Sequence, residues 1–156
     1  MIKKTVLLLF LIIGIHRSYA HGPDKVELLK YILNMKEFIE VLSLDDKSDM
    51  APIRIVDNSK RFKNLSFSFK PDIKQKAAFL SVLTISKIPM DWNMGYNRDL
   101  YISSYEKLKN GNYKISIYLT NYLCIGKKKA KLVFHGECST KDGSIQITNR
   151  EFNTWH

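Results

Sequence analysis

Two cysteines in 156 residues exclude a disulfide-dense scaffold and a four-cysteine zinc site. Four prolines and seven glycines, scattered through the chain, leave no linker or low-complexity segment. There is no glycine-rich phosphate loop, no nucleophile elbow, no Cys-x-x-Cys and no His-Glu-x-x-His. No reaction class is therefore indicated and no catalytic residue is assigned. Acid is the scarcer charge, 15 residues against 25 basic ones, which gives a formal charge of +10. Such an excess favours acidic partners such as envelope polymers, lipid headgroups or an acidic protein, and it also keeps a protein soluble.

The first twenty residues carry an address. Lys3 and Lys4 precede an apolar run from Thr5 to Ile15, followed by Ser18-Tyr19-Ala20. A basic start, a short apolar core and small residues at −3 and −1 make a secretory signal peptide. The run is shorter than the roughly 20 residues of a membrane span. The expectation is a signal at 1–20, a mature domain at 21–156, and a periplasmic or extracellular location. Without Lys3, Lys4 and Arg17 the charge falls from +10 to +7. Export makes nucleic acid an improbable partner, and no transmembrane segment is expected after cleavage.

The most legible stretch is 112–149, which reads as an antiparallel meander of strands at 112–123, 130–139 and 144–149. Tyr113, Ile115, Ile117 and Leu119 alternate with polar residues, as do Leu132, Phe134 and Cys138. Asp142-Gly143 supplies the positive φ of a type I′ turn. That turn pairs Lys141 with Ser144, Thr140 with Ile145 and Cys138 with Ile147, which puts the apolar residues on one face. Farther out the register would set Phe134 against Glu151, so a bulge near Asn149 is expected. Cys124 falls on the polar face and Cys138 on the core face, so two free thiols are expected rather than a bridge.

Before the meander, residues 24–42 read as one helix. Asp24 caps it, Glu27 completes a capping box, and Val26, Leu29, Ile32, Leu33, Ile39 and Leu42 form its stripe. Strands follow at 52–56, at 62–69 with Leu65, Phe67 and Phe69 inward, and at 100–107. Residues 72–88 read as a helical turn leading into a strand, and 89–98 as a loop. Lys109-Asn110-Gly111-Asn112 reads as a second hairpin turn. The fold class expected is α+β: an N-terminal helix packed on a curved, mainly antiparallel sheet ending in a meander.

This order of elements, with the last hairpin Lys-Asp-Gly-Ser-Ile-Gln-Ile, resembles the small exported NTF2-like and cystatin-like domains over residues 112–155. The resemblance implies a ligand held in a cavity between helix and sheet, and it leaves the ligand open.

Four groups of residues are candidates for function. Trp92, Tyr96, Arg98, Tyr101 and Tyr105 interleave aromatic rings with amides, a composition suited to a glycan or peptide, although strand spacing also fits Tyr101 and Tyr105 to the sheet. Lys127, Lys128, Lys129 and Lys131 form a basic rim, an anion site or simply a solvated turn. His135 and Glu137 share an outward face two residues apart, too few groups for zinc. His21, as a mature N-terminus, has the amine and ring nitrogen that copper-dependent polysaccharide monooxygenases use, but a helix starts three residues later. No metal or cofactor is assigned. Asn64-Leu65-Ser66 is a glycosylation sequon if the host is eukaryotic.

The function expected is a non-catalytic exported binding module for a small ligand, a glycan or an envelope component. The alternative is an inhibitor- or immunity-type module on an acidic protein.

Overall fold

The structure is a computed structural model that describes residues 22–42, 52–72, 79–86, 99–121 and 129–154. Its elements are helices α1 (Lys25–Leu33) and α2 (Lys36–Leu42), then strands β1 (Ile53–Asp57), β2 (Ser66–Phe69) and β3 (Leu80–Ile85). They continue with β4 (Asp99–Lys107), β5 (Tyr113–Asn121), β6 (Lys129–Lys141) and β7 (Ser144–Thr154). The predicted signal, His21 and the 89–98 loop lie outside the described residues.

All seven strands form one sheet in the order β2-β3-β1-β4-β5-β6-β7. β1 runs parallel to both of its neighbours, β3 and β4, and the other pairings are antiparallel. The expected fold class is corrected accordingly. The sheet is mixed, the helices among the described residues are two and short, and the architecture is nearer all-β than α+β. The reason lies in Ile53–Asp57, where all five residues are buried. A strand hidden on both faces belongs in the interior of a sheet, and parallel neighbours are the usual setting for such a run.

One continuous helix over 24–42 is also corrected. The Asp24 carboxylate accepts from Val26 and Glu27 N–H, each at 3.0 Å, as an N-cap should. The helix then stops at Leu33, with Asn34 as its cap. Tight i→i−3 bonds from Met35 to Ile32 and from Phe38 to Met35 bridge the break, and Asn34 Oδ1 accepts the Asp72 N–H at 2.8 Å. The break rotates the second segment, so that Phe38 faces inward and Ile39 sits at the margin.

The helices cover one face of the sheet. Leu28, Leu29, Ile32, Leu33, Phe38 and Leu42 pack on Ile55, Leu100, Ile102, Ile115, Ile117, Leu119, Leu132, Phe134, Cys138 and Ile147, all of them buried. Phe38 meets Phe134 edge-on at 5.6 Å and Phe152 at 6.3 Å, which ties α2 to β6 and β7.

The last hairpin has the expected register, Lys141 with Ser144 and Cys138 with Ile147, with positive φ at Asp142 and Gly143. The bulge falls where β6 residues 135–137 oppose Thr148 through Glu151, and it places Phe134 against Phe152. Asn149, at φ 49°, absorbs the extra residue.

The second hairpin turns at Asn110-Gly111 by a different geometry. Gly111 N–H donates to the Leu108 carbonyl, Leu108 N–H to the Asn112 carbonyl, and Gly111 sits at φ 89°. This is a three-residue loop with a glycine bulge. It brings Tyr105 opposite Ile115 and Glu106 opposite Lys114, whereas a two-residue turn would set Glu106 against Ile115.

Candidate functional site

The helices cover one face of the sheet, and the opposite face carries its own set of polar and aromatic residues. Strand register places Arg54 and Val56 of β1, Tyr101 of β4, Ser116 and Tyr118 of β5, and Val133, His135 and Glu137 of β6 on it. A bulge at Ser103 sorts these residues. Leu100 and Ile102 pair with Leu119 and Ile117 on the core face, and beyond the bulge Tyr105 pairs with Ile115 on that same face. Tyr101 is thereby turned outward. Tyr101 and Tyr105, four residues apart, stand on opposite faces, where unbroken strand spacing predicts one.

Both tyrosines are buried, each against a different ring. Tyr101 stacks on Tyr118 across strands, centroids 4.8 Å apart and planes 3° from parallel. Tyr105 stacks on Tyr113 at 5.0 Å and takes the edge of Phe62 at 5.0 Å. Burial, with the Cys138 thiol and the Tyr113 phenol nearby, pushes the Tyr105 phenol far above its ordinary value. The proposed ligand patch is therefore not assembled by its two described members. Trp92, Tyr96 and Arg98 lie outside the described residues.

Beside the Tyr101–Tyr118 stack, His135 Nδ1 and Ser116 Oγ share a hydrogen bond of 2.8 Å across β5 and β6. Which atom donates depends on the imidazole tautomer. A serine next to a histidine is the start of a nucleophile pair. Here the rest is missing among the described residues. No carboxylate bonds the imidazole, and Ser116 sits mid-sheet between two ladders that take up its backbone groups.

Glu137 does not join His135. Its Oε1 accepts from Asn110 Nδ2 at 2.7 Å and Asn112 Nδ2 at 2.6 Å, and its Oε2 from Asn149 Nδ2 at 3.0 Å. One carboxylate thus clamps the 108–112 loop and the β7 bulge to β6. Hydrogen bonds to the charged form, from Asn112 first, then Asn110 and Asn149, hold the carboxyl below its ordinary value of 4.5. A depressed folded pKa means that the contribution is complete above the unfolded value and is lost as pH falls through the folded one. Urea midpoints of the wild type should accordingly drop below pH 4.5, and Glu137→Gln should flatten part of that drop. An equally steep acid limb in the variant would show that the clamp is not the titrating element.

Among the basic rim, Lys127 and Lys128 lie outside the described residues. Lys129 and Lys131 lie in β6, Lys129 at its first position, paired with Asn121. Cys124 also lies outside, whereas Cys138 is a free, fully buried thiol pushed up by burial to about 12. Among the described residues no group of three or more His, Cys, Asp or Glu side chains could hold a metal ion, and no helix is long and apolar enough to cross a membrane. Asn64 of the sequon is exposed.

Two features escaped the sequence reading. Ser116 lies within the alternation of β5, and only the β5–β6 register marks it as the partner of His135. The cations Lys60, Arg61 and Lys63 enter none of the candidate groups, with Lys63 inside the strand expected at 62–69, although three cations in four residues are a visible signal.

Neither protein-family models, nor curated proteins, nor solved structures give a match to this chain. The likeness to NTF2-like and cystatin-like domains thus rests on the residue pattern alone.

Proposed function

We propose that this protein is a non-catalytic, exported binding module that meets its ligand on the outer face of the sheet. The observation that carries the reading is the asymmetry of the two faces. The face under the helices is filled by buried apolar side chains, which leaves little reason to place a polar ligand there. The opposite face sets a half-buried Tyr118, stacked on Tyr101, beside the hydrogen-bonded His135 and Ser116. An aromatic ring next to fixed hydroxyl and imidazole groups suits a glycan or another small polar ligand of an envelope, because the ring buries area while the polar groups set orientation. Export is supported by the Lys3-Lys4 start, the apolar run and Ser18-Tyr19-Ala20.

Thermal-shift screening against glycan, lipid and peptide pools tests the reading. A hit should lose at least tenfold in affinity, about 1.4 kcal/mol, in Tyr118→Ala and His135→Ala variants that still fold. No stabilisation by any pool would remove the reading. Affinity that collapses with salt, and survives both variants, would transfer weight to the inhibitor- or immunity-type module on an acidic protein.

A further inference from the structure

Among the described residues, four other than glycine have positive φ. Asp142 and Asn149 belong to the last hairpin turn and the β7 bulge, but Lys60 and Asn64 both lie in the connection between β1 and β2, at φ 59° and 45°. A left-handed lysine is disfavoured unless its surroundings impose the conformation. Here they do. Asp57, 4% exposed, turns its carboxylate inward to accept from Ser59 Oγ and from the Phe62 N–H at 2.7 Å. Thr84, 1% exposed, donates its hydroxyl to the Phe62 carbonyl at 2.6 Å and accepts the Leu65 N–H at 2.7 Å. The Phe62 ring is fully buried against Tyr105. A surface loop is thus anchored from below at three points.

What the anchored loop presents is positive charge. Lys60, Arg61 and Lys63 are exposed, and Lys25 at the start of α1 lays its ammonium 5.9 Å from the centre of the Phe62 ring. Lys30 and Lys36 pair with Glu27 and Glu40, but among the described residues none of these four cations is in an ion pair. Residues 58–64 contain no acid, and the nearest one in sequence, Asp57, is buried. The Asp24 carboxylate by Lys25 is engaged as the α1 cap. Three like charges within four residues repel one another, and the anchored loop carries them nonetheless.

We propose that the 58–64 loop, with Lys25, is a docking site for a linear, phosphate-bearing polyanion. Residues 60 to 63 span at most about 11 Å of chain, so three cations in that length match a polymer with closely spaced charges. Such a polymer binds by releasing its condensed counterions. Phosphate oxygens serve both the guanidinium fork of Arg61 and the point charges of the lysines. A protein partner fits less well. Lysine is depleted at protein interfaces, and neither of the large apolar side chains exposed among the described residues, Tyr31 and Phe79, lies in the loop. A lipid surface also wants an apolar wedge beside the charge, and the loop offers none. This surface is separate from the Tyr118–His135 face, and neither reading depends on the other.

The test is titration of the full chain with inorganic polyphosphate at several salt concentrations. Binding should weaken with salt at a log–log slope of about −3. The combined variant Lys60→Ala, Arg61→Gln, Lys63→Ala should lose at least tenfold in affinity at an unchanged thermal midpoint. Lys107→Ala with Lys141→Ala, equally exposed, should leave affinity unchanged. Thr84→Val keeps every charge but frees the loop, and should also weaken binding. Equal binding by the triple variant would overturn the proposal, as would equal affinity for polyglutamate, which would mean an acidic protein. Binding to anionic vesicles without binding to polyphosphate would overturn it in favour of a membrane.

Discussion

Phe134→Ala should lower the free energy of unfolding by about 3–5 kcal/mol. The Phe134 ring is fully buried, takes the edge of Phe38 from α2 at 5.6 Å and lies 4.9 Å from Phe152 on β7. Removing it deletes the group that three elements share, and none of them can collapse into the gap without leaving the others. Against a typical total of about 5–15 kcal/mol, such a loss takes a large part of the stability. Urea unfolding checks it, with the slope of the transition unchanged. Thr148→Ala, at an exposed position of β7, is the control, expected within about 0.5 kcal/mol. A loss under about 1 kcal/mol at Phe134 would mean that helix and sheet are not packed together as described.

Gly136→Ala carries the second-largest effect, and its sign runs against the usual rule. In a strand, alanine normally improves on glycine because less backbone entropy is lost. Here an added Cβ would sit 2.7 Å from Ile147 Cγ2 and 2.8 Å from Phe134 Cζ, inside the core. The expected outcome is a destabilisation of about 1–3 kcal/mol from overpacking. A double-mutant cycle identifies the cause. Ile147→Ala alone costs about 2–5 kcal/mol, yet in the Gly136→Ala background it vacates the position that the new methyl needs. The two changes should therefore couple by at least about 1 kcal/mol. Strict additivity would locate the strain elsewhere.

The two hairpins show how far local reading extends. At Asp142-Gly143, turn chemistry and alternation point to one register, and that register is present down to Cys138 opposite Ile147. At Asn110-Gly111 the dipeptide marks the turn but not its length. The extra loop residue is chosen by the strands, because only then does Tyr105 meet Ile115. The candidate site suffered more from the same effect. An inserted residue at Ser103 leaves no trace in composition, yet it sends Tyr101 and Tyr105, which unbroken spacing puts on one face, to opposite faces. The Ser116–His135 pair was half visible, since the outward position of His135 follows from alternation and its partner only from strand neighbours.

Taken alone, the residues determined what depends on near neighbours in the chain: the Asp24 cap, the inward row Leu132, Phe134, Cys138, the type I′ turn and the basic character of the surface. Tertiary structure alone decided that β1 enters the sheet between β3 and β4, that the helix breaks at Asn34, and that Asp57 and Thr84 anchor a charged loop. Each of those turns on burial against residues distant in sequence, where several pairings satisfy the same local pattern and only the one that hides Ile53–Asp57 on both faces is the fold.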